Sequence, residues 1–394
     1  MNQVFDGLRI LDFGRFIAAP WCAAIFADLG ADVIRVERRE GGEDRYVQQL
    51  IPDGTGAGYL PNNRNKRGIT LDTSVEEGRA IAHKLVETAD VVIVNMPDRV
   101  MNAHGLDYES LKAVKPDIIL ASATAYGRGG PFSERIGFDG IGQVMSGAVY
   151  RTGPKEQPYR FMVPYVDYAT AQNLTIATMA AIIHRNATGM GQHVEASLLA
   201  SAMVVSNALL IDQAILKENH GRIGNAGNAV GPCDLFNIEG RFILVQVTGN
   251  PLFKRWCRLV GEEGFIEDPR FLRDDLRARN GEMLNARMQQ WCDTQKFDEA
   301  MALLEAARIP AAEVLSPQQV LENEHVQAMG YLKPVDYPGL PEPAPLIETP
   351  FRMSETPGRI DRRAPLLGEH NDQVLGDVGY SPEQITGFRD RDVI

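Results

Sequence analysis

The chain predicts an α/β protein: a Rossmann-like, mostly parallel sheet in a large domain, joined to a smaller α+β domain. Three observations carry this expectation. The N-terminal third alternates short apolar runs with helical patterns, as βα units do. Beyond residue 167 the pattern changes to long helices, and a Gly/Asn-rich break at residues 221–228 is followed by a hairpin signal. A length of 394 residues suits two or three domains with ample apolar core.

Residues 8–14 form the first apolar run and read as a strand, 20–30 as a helix, and 32–37 as the next strand. A further cycle gives a strand at 68–72, a helix at 74–88 capped by Thr73 or Ser74, and a strand at 91–95. Residues 117–123 read as another buried strand, 168–185 as a long helix, 192–196 as a short strand and 197–216 as a second long helix. The hairpin is expected over 233–247, turning at Glu239-Gly240, with helices around 251–260, 274–280, 282–294 and 297–307. The last seventy or so residues are rich in proline and read as extended, surface-wrapping chain, closed by helices at 371–378 and after Ser381-Pro382. The resulting division is 1–205 for the large domain, 206–228 for a linker, 229–325 for the small domain, and 326–394 for a segment returning to the large one.

Composition narrows the function classes. The hydrophobic share of 44% and charged share of 23% are those of an ordinary globular protein. No basic, then apolar, leader opens the chain and no apolar run reads as long enough to span a bilayer, so the expected location is cytoplasmic, with no membrane partner. A net charge of −12 disfavours nucleic acid, whose phosphates are met by net basic surfaces. The four cysteines lie scattered without a C-x-x-C pair, and the histidines form no H-x-x-x-H, so neither a disulfide framework nor a metal site is expected. The sheet invites a dinucleotide reading with Glu37 as ribose ligand, but the turn after the first strand holds the single glycine Gly14 where the fingerprint has three.

Asp167 is the leading candidate for chemistry. It is a lone acid among Val163, Tyr165, Val166 and Tyr168, at the start of a helix. Aspartate is a favoured N-cap; an ionised, partly desolvated carboxylate is also a nucleophile. The two roles are compatible, because helix amides and the helix dipole are expected to hold the carboxylate ionised. Phosphate-suited cations follow the second strand, at Arg38 and Arg39, and precede the third, at Arg64, Lys66 and Arg67.

Several segments together resemble the class III coenzyme A transferases, the family of the carnitine and formyl-coenzyme A enzymes, from about residue 8 to 394. They are residues 27–37, 63–68, Gly137-Phe138-Asp139 with Gln143 and Ser146-Gly147, Asp167, Gly189 to Gln192, and Leu367 to Asn371. The resemblance implies a coenzyme A transferase in which Asp167 carries an aspartyl-coenzyme A thioester. No cofactor is tightly bound; coenzyme A enters as the acyl-coenzyme A substrate, and a carboxylic acid is the acceptor. It also implies a coenzyme A cleft formed by Arg38, Leu71, Asp72, Thr73, Asn95, Met96, Pro97 and Asp139. The arginine common in the following helix is Ala103 here, leaving Arg99 or His104 to substitute. The first loop, Arg15, Phe16, Ile17 and Ala18, approaches the reacting centre by resemblance, and a loop of the second domain at Gly249-Asn250 closes over it. Ile17 stands where the formyl-coenzyme A enzymes carry glutamine, which points to a larger or more apolar acid. Arg15 can grip a second carboxylate, as in a succinyl group. Succinyl-coenzyme A as donor and a short- or medium-chain, dicarboxylic acceptor are therefore expected. The racemase cousins of the fold use a histidine as base where this chain has Phe138, which disfavours that activity; a coenzyme A-binding protein without catalysis is the remaining alternative. An interlocked homodimer completes what the resemblance implies.

Overall fold

A computed structural model describes residues 3–52 and 55–394. The chain divides into two compact units, one made of Met1–Ser146, Phe161–Ile211 and His325–Ile394, the other of Gly147–Arg160 and Asp212–Glu324.

The first unit is built on six strands: β1 Arg9–Asp12, β2 Asp32–Glu37, β3 Arg67–Thr70, β4 Val91–Val94, β5 Ile119–Thr124 and β6 His193–Ser197. Their order is β3-β2-β1-β4-β5-β6, and every neighbouring pair is parallel. Alternate residues enter two separate cores, the reason the strands read as unbroken apolar runs. Ile10, Val33, Val91, Ile93, Ile119 and Ala121 face the helices Ala18–Asp28 and Tyr165–Thr188. Leu11, Ile34, Ile69, Val92, Val94 and Leu120 pack with apolar residues of Glu76–Val86 and the C-terminal Asn371–Asp377 and Pro382–Asp390. Five alanines on Ala18–Asp28 are buried, small enough for close approach to Tyr165–Thr188. That long helix satisfies its buried hydroxyls internally: Thr170, Thr175 and Thr178 donate to the carbonyls four residues back at 2.7–2.8 Å. β1 lies between β2 and β4, so the chain leaves it in opposite directions, and a crevice opens at the carboxyl ends of the strands, where sheets of this order hold ligands.

Some local expectations need correction. The helix expected from Ser74 begins at Glu76, with Val75 at its N-cap and no side-chain cap; Asp72 instead accepts hydrogen bonds from the Ser74 backbone and hydroxyl. Helix Leu198–Leu216 occupies the first half of the expected linker. Its 19 residues include an 18-residue stretch with a mean hydropathy of 1.6, so by length and composition alone it can cross a membrane, contrary to the expectation that no run is long enough. Ser201, Ser206, Asp212 and Gln213 interrupt its apolar sequence.

The second unit carries an antiparallel sheet of β7 Cys233–Ile238, β8 Arg241–Gln246 and β9 Ala311–Glu313. Glu239 and Gly240 both adopt positive φ, 53° and 85°, the I′ geometry that matches strand twist in a two-residue hairpin. Its core gathers Phe236, Phe253, Trp256, Phe271, Met288 and Trp291. β9 is only three residues long, too short to leave a periodic signal. In the first unit, the proline-rich segment expected as extended chain includes a ribbon of β10 Leu332–Val335 and β11 Ala344–Ile347, with Pro334 opposite Pro345.

Candidate active site

A cavity of about 760 Å³ opens at the carboxyl ends of the strands of the first unit. Each strand-to-helix junction contributes to it: Gly14 to Ala18 after β1, Glu37 to Arg39 after β2, Leu71 to Ser74 after β3, Asn95 to Pro97 after β4, and Ala123 to Ala125 at the end of β5. Asp167 lies in its wall. Thirteen of the expected residues thus meet around one space: Arg15, Phe16, Ile17, Ala18, Arg38, Leu71, Asp72, Thr73, Asn95, Met96, Pro97, His104 and Asp167.

Asp167 is the third residue of helix Tyr165–Thr188, whose N-cap is Pro164. It is therefore not the cap expected from sequence. That role falls to Asp139, whose carboxylate accepts from the backbone N–H groups of Val166 at 2.8 Å and of Asp167 at 3.1 Å. Gln143 donates to the other Asp139 oxygen and accepts from the Phe161 N–H at 2.9 Å. Asp139 is buried and does not line the cavity, so its expected place among the coenzyme A contacts is corrected to one beneath Asp167. With the helix amides directed to Asp139, the Asp167 carboxylate accepts no hydrogen bond from the described residues. Burial, reinforced by the negative charge of Asp139, pushes its pKa up to about 7. The expectation that helix amides hold it ionised is overturned for the same reason.

The loop after β1 is fixed from several sides. Gly14 is required by close packing, since a Cβ there would stand 2.4 Å from Ala19 Cβ. The Gly14 N–H donates to Asp12 at 2.8 Å, and Arg35 donates to the Gly14 carbonyl. Asn95 bonds both ways to the Arg15 backbone, accepting at 2.8 Å and donating at 2.7 Å. The next residue, Phe16, is held at a φ of 62°, a left-handed conformation uncommon for a bulky side chain. Its ring meets that of Phe138 edge to face at 5.4 Å.

The basic cluster before β3 does not reach the cavity. Arg64 is fully buried, pairs with Asp28 at 2.6 Å and lies over the Trp21 ring. Lys66 donates to Asp12 at 2.7 Å and to the Pro20 carbonyl at 2.8 Å, and burial pulls its pKa down to about 8. Arg67 bridges Asp32 and Asp377, both at 2.7 Å. These cations are neutralised inside the fold and offer nothing to a phosphate. Glu37, the would-be ribose ligand, is held by Arg45 at 2.6 Å.

The cations that do face the cavity are Arg15 and Arg38, which share Glu43 at 3.1 and 2.6 Å, Arg39, paired with Asp392 at 2.6 Å, and Arg35, Arg128 and Arg135. Arg128 is tied to Asp98 at 2.8 Å and Glu195 at 3.3 Å. Arg128 and Arg135 were not picked out from the sequence; their only signal is proximity to the Gly137-Phe138-Asp139 segment. Of the two residues considered in place of the missing arginine, exposed Arg99 does not line the cavity, whereas His104 does, with Nδ1 at 2.7 Å from the Thr73 hydroxyl. Gly249 and Asn250 belong to the second unit, where the Gly249 N–H donates to Asp274 at 2.9 Å and Asn250 accepts from Arg277.

A partly apolar crevice ringed by arginines, with the desolvated Asp167 carboxylate in its wall, suits a large anionic substrate. The profile of CoA-transferase family III matches residues 5–371, and the chain belongs to that family. It is 33% identical over 390 residues to the succinate–glutarate CoA-transferase of Agrobacterium fabrum, with 95% of each chain covered. It is 30% identical to the formyl-CoA:oxalate CoA-transferase of Rhodopseudomonas palustris, covering 99% of this chain and 97% of that one. A CAIB/BAIF family protein from Brucella suis has the same fold, with a TM-score of 0.83 at 31% identity, 96% of this chain and 100% of that one being covered. The protein is accordingly a transferase acting on coenzyme A thioesters.

Proposed function

We propose that the protein moves coenzyme A from an acyl-coenzyme A donor to a carboxylic acid through a thioester on Asp167. The observation that carries this reading is the placement of Asp167: a carboxylate with no hydrogen-bond donor among the described residues, raised to about 7 by burial, in the wall of a cavity whose cations suit phosphates. In the donor half-reaction an Asp167 oxygen attacks the thioester carbonyl, the C–S bond breaks, and the thiolate departs, leaving a mixed anhydride. The thiolate then adds to the aspartyl carbonyl, the donor acid leaves as its carboxylate, and an acceptor carboxylate reverses both steps. Covalent exchange divides one difficult transfer into easier ones, and an apolar wall limits loss of the anhydride to water.

Arg38, Leu71 to Thr73, Asn95 to Pro97 and His104 are proposed to hold coenzyme A. Asn95 contributes by fixing the Arg15 backbone, and His104 by presenting a ring braced on Thr73. Succinyl-coenzyme A as donor and a short- or medium-chain dicarboxylic acid as acceptor fit this site, in keeping with the Agrobacterium relative, which is named for succinate and glutarate. A homodimer is proposed because apolar side chains stand exposed along two helices of the first unit: Ile176 and Ile183 on one, Val204 and Val205 on the other, each at least 64% exposed. Elution as a monomer at micromolar concentration refutes it.

Incubation with one acyl-coenzyme A and no acceptor tests the mechanism by mass spectrometry. A coenzyme A adduct on the Asp167 peptide, absent in a folded Asp167→Ala variant, is the expected result. Turnover surviving in that variant removes Asp167 from the role. Exchange of the α-proton with deuterated water would mark a racemase instead, and neither signal would mark a binding protein.

A further inference from the structure

The acyl group that reaches Asp167 meets a wall with little polarity. Phe138 directly precedes Asp139, whose carboxylate holds the Asp167 N–H at 3.1 Å, and its ring stands against Phe16. Ile17, Ala125 and Leu198 pack in the same apolar cluster as Val166 and Tyr168, which flank the aspartate, and all three line the cavity. Phe138 is 56% exposed although it faces this cavity, apolar surface that methylene groups of a substrate would cover favourably.

The cations around that wall are not equivalent. Arg15 and Arg38 are engaged by Glu43, Arg39 by Asp392, Arg35 by Asp44 and Arg128 by Asp98 and Glu195. Arg135 has no carboxylate partner among the described residues; its guanidinium lies 3.7 Å over the ring of Phe132, an aromatic contact that leaves its N–H donors available. It is three residues from Phe138, so the two lie within about 10 Å along the chain. An engaged arginine must give up its partner to take a ligand carboxylate; Arg135 need not.

We propose that Arg135 is the specificity-determining residue for a second carboxylate at the far end of the acyl group, with the Phe16–Phe138 pair covering the methylenes between. The preferred substrates are then ω-carboxyacyl thioesters, short dicarboxylic acids joined to coenzyme A at one end. This rests on the transferase reading above and moves the carboxylate-gripping role from Arg15, held by Glu43, to Arg135. A guanidinium matches a carboxylate in a two-pronged geometry, and the alternative anion in this cavity is a coenzyme A phosphate, which every acyl-coenzyme A shares.

The two anions are separated by binding measurements in an Asp167→Ala background, where no covalent step intervenes. Succinyl-coenzyme A, butyryl-coenzyme A and free coenzyme A are titrated calorimetrically with and without Arg135→Gln. Loss of about ten- to a hundredfold in succinyl-coenzyme A affinity, with the other two unchanged and partial recovery in Arg135→Lys, is the expected result. Equal weakening of all three ligands overturns the proposal in favour of a phosphate contact, and no change in any of them overturns it outright. Failure to find an adduct on Asp167 would count against the aspartyl mechanism alone, because these affinities do not depend on turnover.

Discussion

Replacing Asp167 by asparagine keeps the shape of the side chain and removes its charge, and the structure sets both the sign and the size of the effect on stability. The folded-state pKa is about 7 against 3.8 for the free side chain. At 1.36 kcal/mol per unit the gap has a ceiling of roughly 4 kcal/mol; the carboxylate keeps partial contact with solvent, which lowers the expectation to about 2–3 kcal/mol. Because the folded pKa is the raised one, stability is full below the unfolded pKa and is lost as pH climbs toward 7. Wild type and Asp167→Asn should therefore differ little on this account near pH 4, diverge up to about pH 7, and stay apart above it, with the variant the more stable. Urea unfolding from about pH 5 to pH 8 measures this through the transition midpoints. A difference independent of pH, or an asparagine variant less stable at pH 8, would refute the reasoning. Adduct formation should show the complementary trend in wild type, rising with pH through about 7 as the nucleophile ionises.

Asp139→Asn removes the negative charge beside Asp167 while leaving an acceptor for the helix N–H groups, so the pH at half-maximal adduct formation should move below its wild-type value; an unmoved profile argues that burial alone raises Asp167. Asp139→Ala leaves the Val166 and Asp167 N–H groups without their acceptor and should cost about 1–3 kcal/mol, read from the urea midpoint. Arg64→Met strands Asp28 in the interior, with an expected loss of about 3–5 kcal/mol; Lys66→Met removes the nearer of two cations from Asp12, which keeps Arg35 at 3.7 Å, so its loss should be smaller, and a folded, equally stable variant of either with selectively weakened coenzyme A binding would restore the phosphate role denied to them here. Arg38→Gln should weaken coenzyme A binding several-fold and flatten its dependence on salt, with thermal stability unchanged.

Much of the first unit was legible because its strands are buried on both faces. Val91 to Val94 and Ile119 to Ala121 are continuous apolar runs, a signal that needs no knowledge of neighbours. The hairpin at Glu239-Gly240 was legible for a similar reason: turn chemistry is local. Asp167 stood out as an acid among apolar residues, but its relation to the helix was misread. The cap comes from Asp139, 28 positions earlier, and no pattern around Asp167 reveals that its first-turn amides are already taken. His104 could be found as a candidate through the missing arginine, whereas Arg135 lies on an irregular segment with no periodicity to mark it.

The basic residues show where the boundary falls. Arg64, Lys66 and Arg67 form a cationic cluster in the sequence, yet their partners Asp28, Asp12 and Asp377 lie 36, 54 and 310 positions away. By itself the sequence determined the alternation of strands and helices, the second sheet, the family resemblance and the candidate nucleophile, all of which reside in short stretches of chain or in their order. Only the tertiary structure decided which charges are neutralised, which amides cap which helix, and how far burial lifts the Asp167 pKa. Electrostatic energy depends on separation through space and on the surrounding dielectric, and neither is written in the spacing of residues along the chain.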